Sequence, residues 1–129
     1  MGYELHIHRR KDFWESGSDI SLAEWQDLCA ADPSLTIVGE IVGTTAEGMS
    51  LAYANEGLAI WARPAGFLAR LLNRPPGEVP FDFRDGAIIV KSPDNAIIKK
   101  MAEIAALLDA RVQGDDGEFY LADGTLFYE

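Results

Sequence analysis

In the stretch Tyr3-Glu4-Leu5-His6-Ile7-His8-Arg9, apolar and polar side chains alternate strictly from Tyr3 to His8. Successive side chains of a β-strand point to opposite faces, so this pattern is typical of a strand with one buried face. It predicts that the side chains of Tyr3, Leu5 and Ile7 face a hydrophobic core. Glu4, His6 and His8 then point the other way, and we expect that face to be solvated.

Two helices are predicted on either side of the middle of the chain. Ser21-Leu22-Ala23-Glu24 is a capping box, in which Ser occupies the N-cap and Glu follows three residues later. The helix that it opens is expected to run to about Ala31. Ser92-Pro93-Asp94 predicts the start of a second helix, with Ser92 as its N-cap and Pro93 at its first helical position. That helix is expected to run to about Asp109.

The remaining elements read mainly as strands joined by turns. Residues 35–42 form a β-branched run, and residues 49–54 and 58–62 predict a hairpin around Asn55-Glu56-Gly57. Two further hairpins are predicted around Asp85-Gly86 and Gly114-Asp115-Asp116-Gly117, and a short helix over residues 66–72. The order predicts an α+β fold, a mainly antiparallel sheet with two main helices packed on one face, in a single domain over residues 1–129.

Composition narrows the class of protein. The 129 residues are 48% hydrophobic and 25% charged, which suits one globular domain. No apolar run approaches the roughly 18–20 residues that span a bilayer, and the first residues lack the pattern of a signal peptide. The single cysteine, Cys29, cannot form an internal disulfide. We therefore expect a cytoplasmic protein in a reducing compartment.

The charge is strongly negative and unevenly distributed. The net charge is −10, and between Lys11 and Arg63 there is no Lys or Arg, whereas nine acidic residues lie in that interval. Such a balance argues against nucleic acid and anionic membranes as partners, because both need basic patches. It favours encounter with a cationic protein, although solubility is an equally good explanation of the charge.

The sequence contains only weak indications of a metal-binding or catalytic site. Glu4, His6 and His8 share a strand face and could approach Zn²⁺, but no third histidine exists, so a solvated face is the favoured interpretation. Cys29 lies on the apolar side of its helix, where a thiol packs in the core and is inert. The acidic turn at residues 114–118 lacks calcium-loop spacing and reads as a polar turn, although a paired acid/base site is conceivable. No cofactor motif is present, and we expect no enzyme.

Aromatic and acidic residues in two loops are the candidate binding site. Phe13 and Trp14 lie in a polar loop, and a rigid apolar anchor ringed by charge is typical of a binding hot spot. The alternative is that Phe13-Trp14 folds back as a lid on the core. The residues expected to contact a partner are Phe13, Trp14, Glu15, Asp19, Asp115, Asp116 and Glu118.

Two stretches carry a resemblance to known sequences. The first is Tyr3 to Arg9 with Asp12-Phe13-Trp14 and Ile20-Ser21-Leu22-Ala23-Glu24-Trp25. The second consists of Ile89 to Asp94, then Lys100-Met101, then Ala110 to Tyr120. They are similar to the opening and the end of a group of short, uncharacterised bacterial proteins. Small acidic proteins of this sort resemble immunity proteins, which neutralise a toxin delivered by a neighbouring cell. The resemblance implies a cytoplasmic inhibitor with a basic toxin domain as its partner, and it assigns no residue roles.

The sequence therefore leaves three possible functions of different classes. The first is a protein-binding inhibitor of immunity type. The second is a small enzyme or small-molecule-binding domain with a pocket between sheet and helices, which predicts a cleft with convergent polar groups. The third is a homo-oligomeric module joined through an exposed strand edge such as residues 125–128.

Overall fold

A computed structural model of the chain describes residues 3–44, 46–62, 78–91 and 93–129. Eight strands form one antiparallel sheet: β1 (Glu4–His8), β2 (Leu35–Ile37), β5 (Leu58–Ala62), β6 (Glu78–Arg84), β7 (Ala87–Lys91), β8 (Arg111–Gly114), β9 (Phe119–Tyr120) and β10 (Leu126–Phe127). Their order across the sheet is β10-β9-β8-β1-β7-β6-β5-β2. Strands β3 (Glu40–Thr44) and β4 (Ser50–Ala54) form a separate antiparallel pair. The α+β class and the mainly antiparallel sheet are confirmed.

The first helix, α1 (Leu22–Ala31), begins where its capping box predicts. The backbone N–H of Glu24 donates to Ser21 Oγ at 3.1 Å, and the backbone N–H of Ser21 donates to Glu24 Oε1 at 3.1 Å. Two backbone donors at the helix start are thereby satisfied by side chains.

The second helix, α2 (Asn95–Leu107), begins later than predicted. Its N-cap is Asp94, whose Oδ1 accepts from the backbone N–H of Ile97 at 3.0 Å. The prediction of Ser92 as N-cap and Pro93 as the first helical residue is therefore wrong. The carboxylate of Asp94 accepts as well as a serine hydroxyl and also places negative charge at the positive end of the helix dipole.

The hydrophobic core contains residues of the large sheet and of both helices. Leu5 and Ile7 are fully buried, as their alternation predicts, and belong to one cluster with residues of both helices. Trp25 of α1 is fully buried, and its indole Nε1 donates to the carbonyl of Gly57 at 2.8 Å. The largest other fully buried members of the cluster are Phe81, Ile20, Ile88, Met101 and Ile104.

The predicted hairpin of residues 49–54 with 58–62 is wrong. Strand β4 pairs with β3, whereas β5 pairs with β2 and β6. Asn55 explains the change of partner, because its side-chain amide donates to the carbonyl of Phe83 at 2.6 Å and its backbone N–H to Gly39 O at 2.8 Å. These bonds take the chain from one sheet to the other. The β-branched run also breaks, at Gly39, where φ is 74°.

The two later hairpins are confirmed. Asp85 and Gly86 have φ of 50° and 80°, the left-handed pair of a tight turn between β6 and β7. Strands β8 and β9 pair across the acidic turn. The predicted helix over residues 66–72 lies outside the described residues. Neither α1 nor α2 has the length and apolar character needed to cross a bilayer.

Candidate functional site: a covered polar face and the Trp14 face

The polar face of β1 is not solvated, so that prediction is wrong. His6 is 6% exposed and His8 is fully buried. Strand β1 lies in the interior of the sheet, and the loop after it folds back over this face. The Phe13 ring stacks on the His6 imidazole with 3.8 Å between centroids and 5° between planes. The loop is thus a lid, as the alternative predicted, but it covers the face opposite Leu5 and Ile7.

Gln113 of β8 holds this lid in place. It is fully buried, and its Oε1 accepts from the backbone N–H of Phe13 at 2.8 Å and lies 2.7 Å from His8 Nε2. Its Nε2 donates to Asp12 Oδ1 at 2.9 Å and to the carbonyl of Gly117 at 3.0 Å. All four hydrogen-bonding positions of the amide are therefore occupied. Gln113 joins β1, the loop and the acidic turn.

The same network fixes the tautomer of His8, and burial favours its neutral form. The backbone N–H of Arg10 donates to His8 Nδ1 at 3.0 Å, so the ring proton lies on Nε2 and is donated to Gln113. Burial lowers the pKa of His8, and Arg111 and Arg10 add to the lowering, although the bond to Gln113 opposes it. Protonation of Nδ1 would break the bond from Arg10.

The acidic turn is attached to the same face. Asp115 Oδ1 lies 2.9 Å from His6 Nε2, and its Oδ2 accepts from the backbone N–H of Glu4 at 2.8 Å. The Trp14 ring packs edge-on against Phe13, with 4.9 Å between centroids, and lies against Gly117. Trp14 nevertheless remains 60% exposed.

Five of the seven predicted partner-binding residues therefore converge. We call this surface the Trp14 face and define it by the half-buried Phe13 together with the exposed residues Trp14, Glu15, Asp115 and Asp116. The two segments that form it are about a hundred positions apart in the sequence. Gln113, which brings them together, was missed by sequence reasoning, because only the register of β8 against β1 reveals its neighbours.

Asp19 does not join the Trp14 face. It pairs with Arg10, whose Nη2 lies 2.8 Å from Asp19 Oδ1, and it packs against Gly86 in the β6–β7 turn. Its charge is therefore balanced locally.

Glu118, which the sequence analysis places among the partner-binding residues, is 4% exposed and offers little surface to a partner in this structure. Its Oε2 accepts from the hydroxyls of Tyr3 and of Tyr120, the latter at 2.6 Å. Burial by itself raises the pKa of Glu118, but these hydroxyls and backbone donors hold it below its usual value. Burial and the bond to Glu118 raise the pKa of Tyr3 to about 12. Glu118 thus fixes the acidic turn from within.

One group of side chains in the described residues has the composition of a metal site. The ligand atoms of Glu4, His6 and Asp115 all lie within 4.8 Å of one another. His8, the third residue expected from the sequence, does not belong to it, because its two nitrogens are bonded to Gln113 and to the Arg10 backbone. Asp115 supplies the carboxylate that the sequence did not identify.

Two other features bear on catalysis. Cys29 is 4% exposed, and burial raises its pKa to about 12, which disfavours the nucleophilic thiolate. An open cavity of about 280 Å³ lies beside β4, with an apolar wall of Leu58, Pro80 and Ile89. Two of its polar groups are bonded to each other, since Tyr53 Oη donates to Asp82 at 2.8 Å.

Comparison with known proteins adds no relative to this picture: the chain matches no protein-family model, no curated protein and no solved structure.

Proposed function

We propose that this protein is an acidic binding module of immunity type, which neutralises a basic toxin or effector domain by docking through the Trp14 face. The observation that carries the proposal is the convergence of an exposed indole with acidic side chains from two distant segments. A preorganised aromatic anchor with a charged rim is the arrangement that concentrates binding energy in protein interfaces.

The charges around the face support a cationic partner. Three nearby arginines are each paired elsewhere: Arg9 with Glu24, Arg10 with Asp19 and Arg111 with Glu129. Among the described residues, Glu15 and Asp116 form no ion pair, so their charge remains available to a partner. A field of one sign accelerates encounter with a basic surface, and salt screens it.

The proposal includes the sequence-based expectation that both helices pack on one face of the sheet. Buried residues of α1 and α2 belong to the same cluster as Leu5 and Ile7, which supports it. The opposite face, covered by the Phe13–Trp14 loop, is then the side that meets the partner. The resemblance of two stretches to small acidic immunity proteins supports a toxin as that partner, and a cytoplasmic site of action follows from it.

The test begins with capture of partners from the source cell and with a basic toxin domain encoded beside the gene. We expect a salt-sensitive complex that Trp14→Ala weakens at least about tenfold, because loss of a central aromatic anchor costs about 2 kcal/mol or more. Leu107→Ala is the matched control, since Leu107 is 74% exposed on α2, and it should leave affinity unchanged. The measurement is calorimetric or surface-based titration at two salt concentrations.

Variants that remove one charge test whether electrostatic attraction speeds association with the partner. Asp116→Asn should slow association and reduce its salt dependence, whereas Asp27→Asn, the same change on exposed α1, should not. Absence of any protein partner, or equal effects of Trp14→Ala and Leu107→Ala, would contradict the proposal.

The cavity beside β4 favours a second candidate, a small-molecule-binding domain. Lys91 and Arg84 lie at its lining and would attract an anionic ligand, in competition with Asp82 Oδ2, which lies 2.9 Å from Arg84 Nε. A ligand screen by thermal shift tests this candidate, and a positive ligand should lose its effect in Arg84→Ala. Trp14→Ala should leave such a ligand's effect intact, which distinguishes the two functions.

A further inference from the structure

Three potential metal ligands meet where β1 passes the acidic turn. Glu4 and His6 are two residues apart on one strand and therefore point to the same face, and Asp115 reaches them from the turn after β8. Their ligand atoms lie within 4.8 Å of one another. We propose that Glu4, His6 and Asp115 bind a divalent transition-metal ion of the Zn²⁺ class.

The separations fit the size of such an ion. Zn²⁺ binds imidazole nitrogen and carboxylate oxygen at about 2.0–2.2 Å, so two ligand atoms of a tetrahedral site stand about 3.3 Å apart. His6 Nε2 and Asp115 Oδ1 are 2.9 Å apart, bridged by a proton that the ion would replace. A small opening of this pair admits the ion. One imidazole and two carboxylates suit Zn²⁺ better than Mg²⁺, which prefers oxygen ligands alone.

The ligands are held before any ion arrives. The His6 ring is fixed by the Phe13 ring stacked on it, and its side chain is 8% exposed. Asp115 Oδ2 accepts from the backbone N–H of Glu4, which directs Oδ1 towards His6. The turn itself is closed by the bond from Gly117 N to Gly114 O at 3.0 Å. Outer contacts of this kind orient metal ligands and raise affinity.

Two cations compete with the ion for Glu4. Glu4 Oε2 lies 3.8 Å from Arg84 Nη2 and 4.0 Å from Lys91 Nζ. The side chains of Arg84 and Lys91 are 42% and 70% exposed, so water screens both contacts. A doubly charged ion at bonding distance therefore prevails over them. Removal of Lys91, which stands opposite Glu4 in the β1–β7 register, should tighten binding.

The probe is Zn²⁺ itself, titrated into chelator-treated protein and followed by calorimetry. We expect one ion per chain, with affinity reduced at least about tenfold by His6→Gln or Asp115→Asn. Asp116→Asn removes the same charge from the same turn without touching the three ligands, and it should bind as the unchanged protein does. Co²⁺ in place of Zn²⁺ should give the visible absorption of a tetrahedral site.

Circular dichroism of each variant checks that it is folded, and Asp115→Asn keeps the test valid if His6→Gln does not fold. Trp14→Ala should bind Zn²⁺ normally, so failure of the docking proposal and failure of this one are distinguishable. The metal site is overturned if the unchanged protein takes up no Zn²⁺ in excess ion. It is equally overturned if Asp116→Asn loses as much affinity as Asp115→Asn.

Discussion

The two faces of the central sheet are buried by different means. One face carries Leu5 and Ile7 into an apolar cluster shared with the helices. The other carries His6 and His8, which are buried as deeply but by a loop and by hydrogen bonds to Gln113 and Asp115. Apolar burial depends on area and tolerates some repacking, whereas a buried polar network fails when one partner is missing. The comparison shows that a strand face made of polar side chains can be buried and not exposed to solvent.

The largest effect is expected on the apolar face. Trp25→Ala should lower the free energy of unfolding by about 4 kcal/mol, because it leaves a cavity and removes the hydrogen bond from the indole to the carbonyl of Gly57. Trp14→Ala, the same change on the covering loop, should cost about 1 kcal/mol or less, since that ring is 60% exposed. Denaturant titration of both variants measures the difference. Equal losses would mean that the loop contributes to stability as the core does.

Gln113→Ala should cost about 2–3 kcal/mol, because it leaves His8 and the backbone N–H of Phe13 without acceptors. Amide hydrogen exchange at Phe13 should accelerate more than exchange at Leu5, which separates loosening of the loop from loss of the core. Gln26→Ala, at an exposed position of α1, is the control and should change stability little. If Gln113→Ala and Gln26→Ala lower the free energy of unfolding equally, the Gln113 network does not stabilise the loop on the polar face.

The smallest effect is the dependence of stability on pH that His8 of the polar face should produce. The pKa of His8 is lowered in the folded state, so below about pH 6.5 the unfolded chain binds more protons than the folded one. Stability should therefore fall on acidification through this range, by at most about 1.4 kcal/mol per pH unit for this group. His8→Asn should flatten the profile of unfolding free energy between about pH 5 and 6.5. An unchanged slope would show that His8 does not supply it.

The sequence predicted those features that depend on neighbouring residues. The capping box of Ser21, the burial of Leu5 and Ile7 and the Asp85-Gly86 turn all depend on residues a few positions apart, and all three are confirmed, whereas Tyr3 of the same alternation is 37% exposed. The partner of β4 was wrong because strand pairing there depends on bonds from Asn55 to Phe83, almost thirty positions away. The start of α2 was wrong because Ser92 and Asp94, two positions apart, both have side-chain oxygens that can accept from the first backbone donors of a helix.

The candidate site was predicted in its residue types and missed in its organisation. An aromatic loop and an acidic turn stood out, but nothing in either indicated that they meet. Burial of Glu118 depends on the hydroxyls of Tyr3 and Tyr120, and Asp115 meets His6 only because β8 lies beside β1. Both facts belong to strand register, which is set by long-range contacts.

The position of β1 also has a consequence for how the chain folds. Its two neighbours, β7 and β8, lie more than eighty positions further along, as the pairs Ile7 with Ile88 and Leu5 with Gly114 show. During synthesis, β1 therefore cannot pair with β7 and β8 until most of the described chain has emerged from the ribosome, and its apolar side chains stay exposed until then. Contacts of such long separation slow the folding reaction, and the waiting segment is exposed to misassociation in the meantime. Strand β1, the first strand to be synthesised, is therefore among the last whose pairing can be completed.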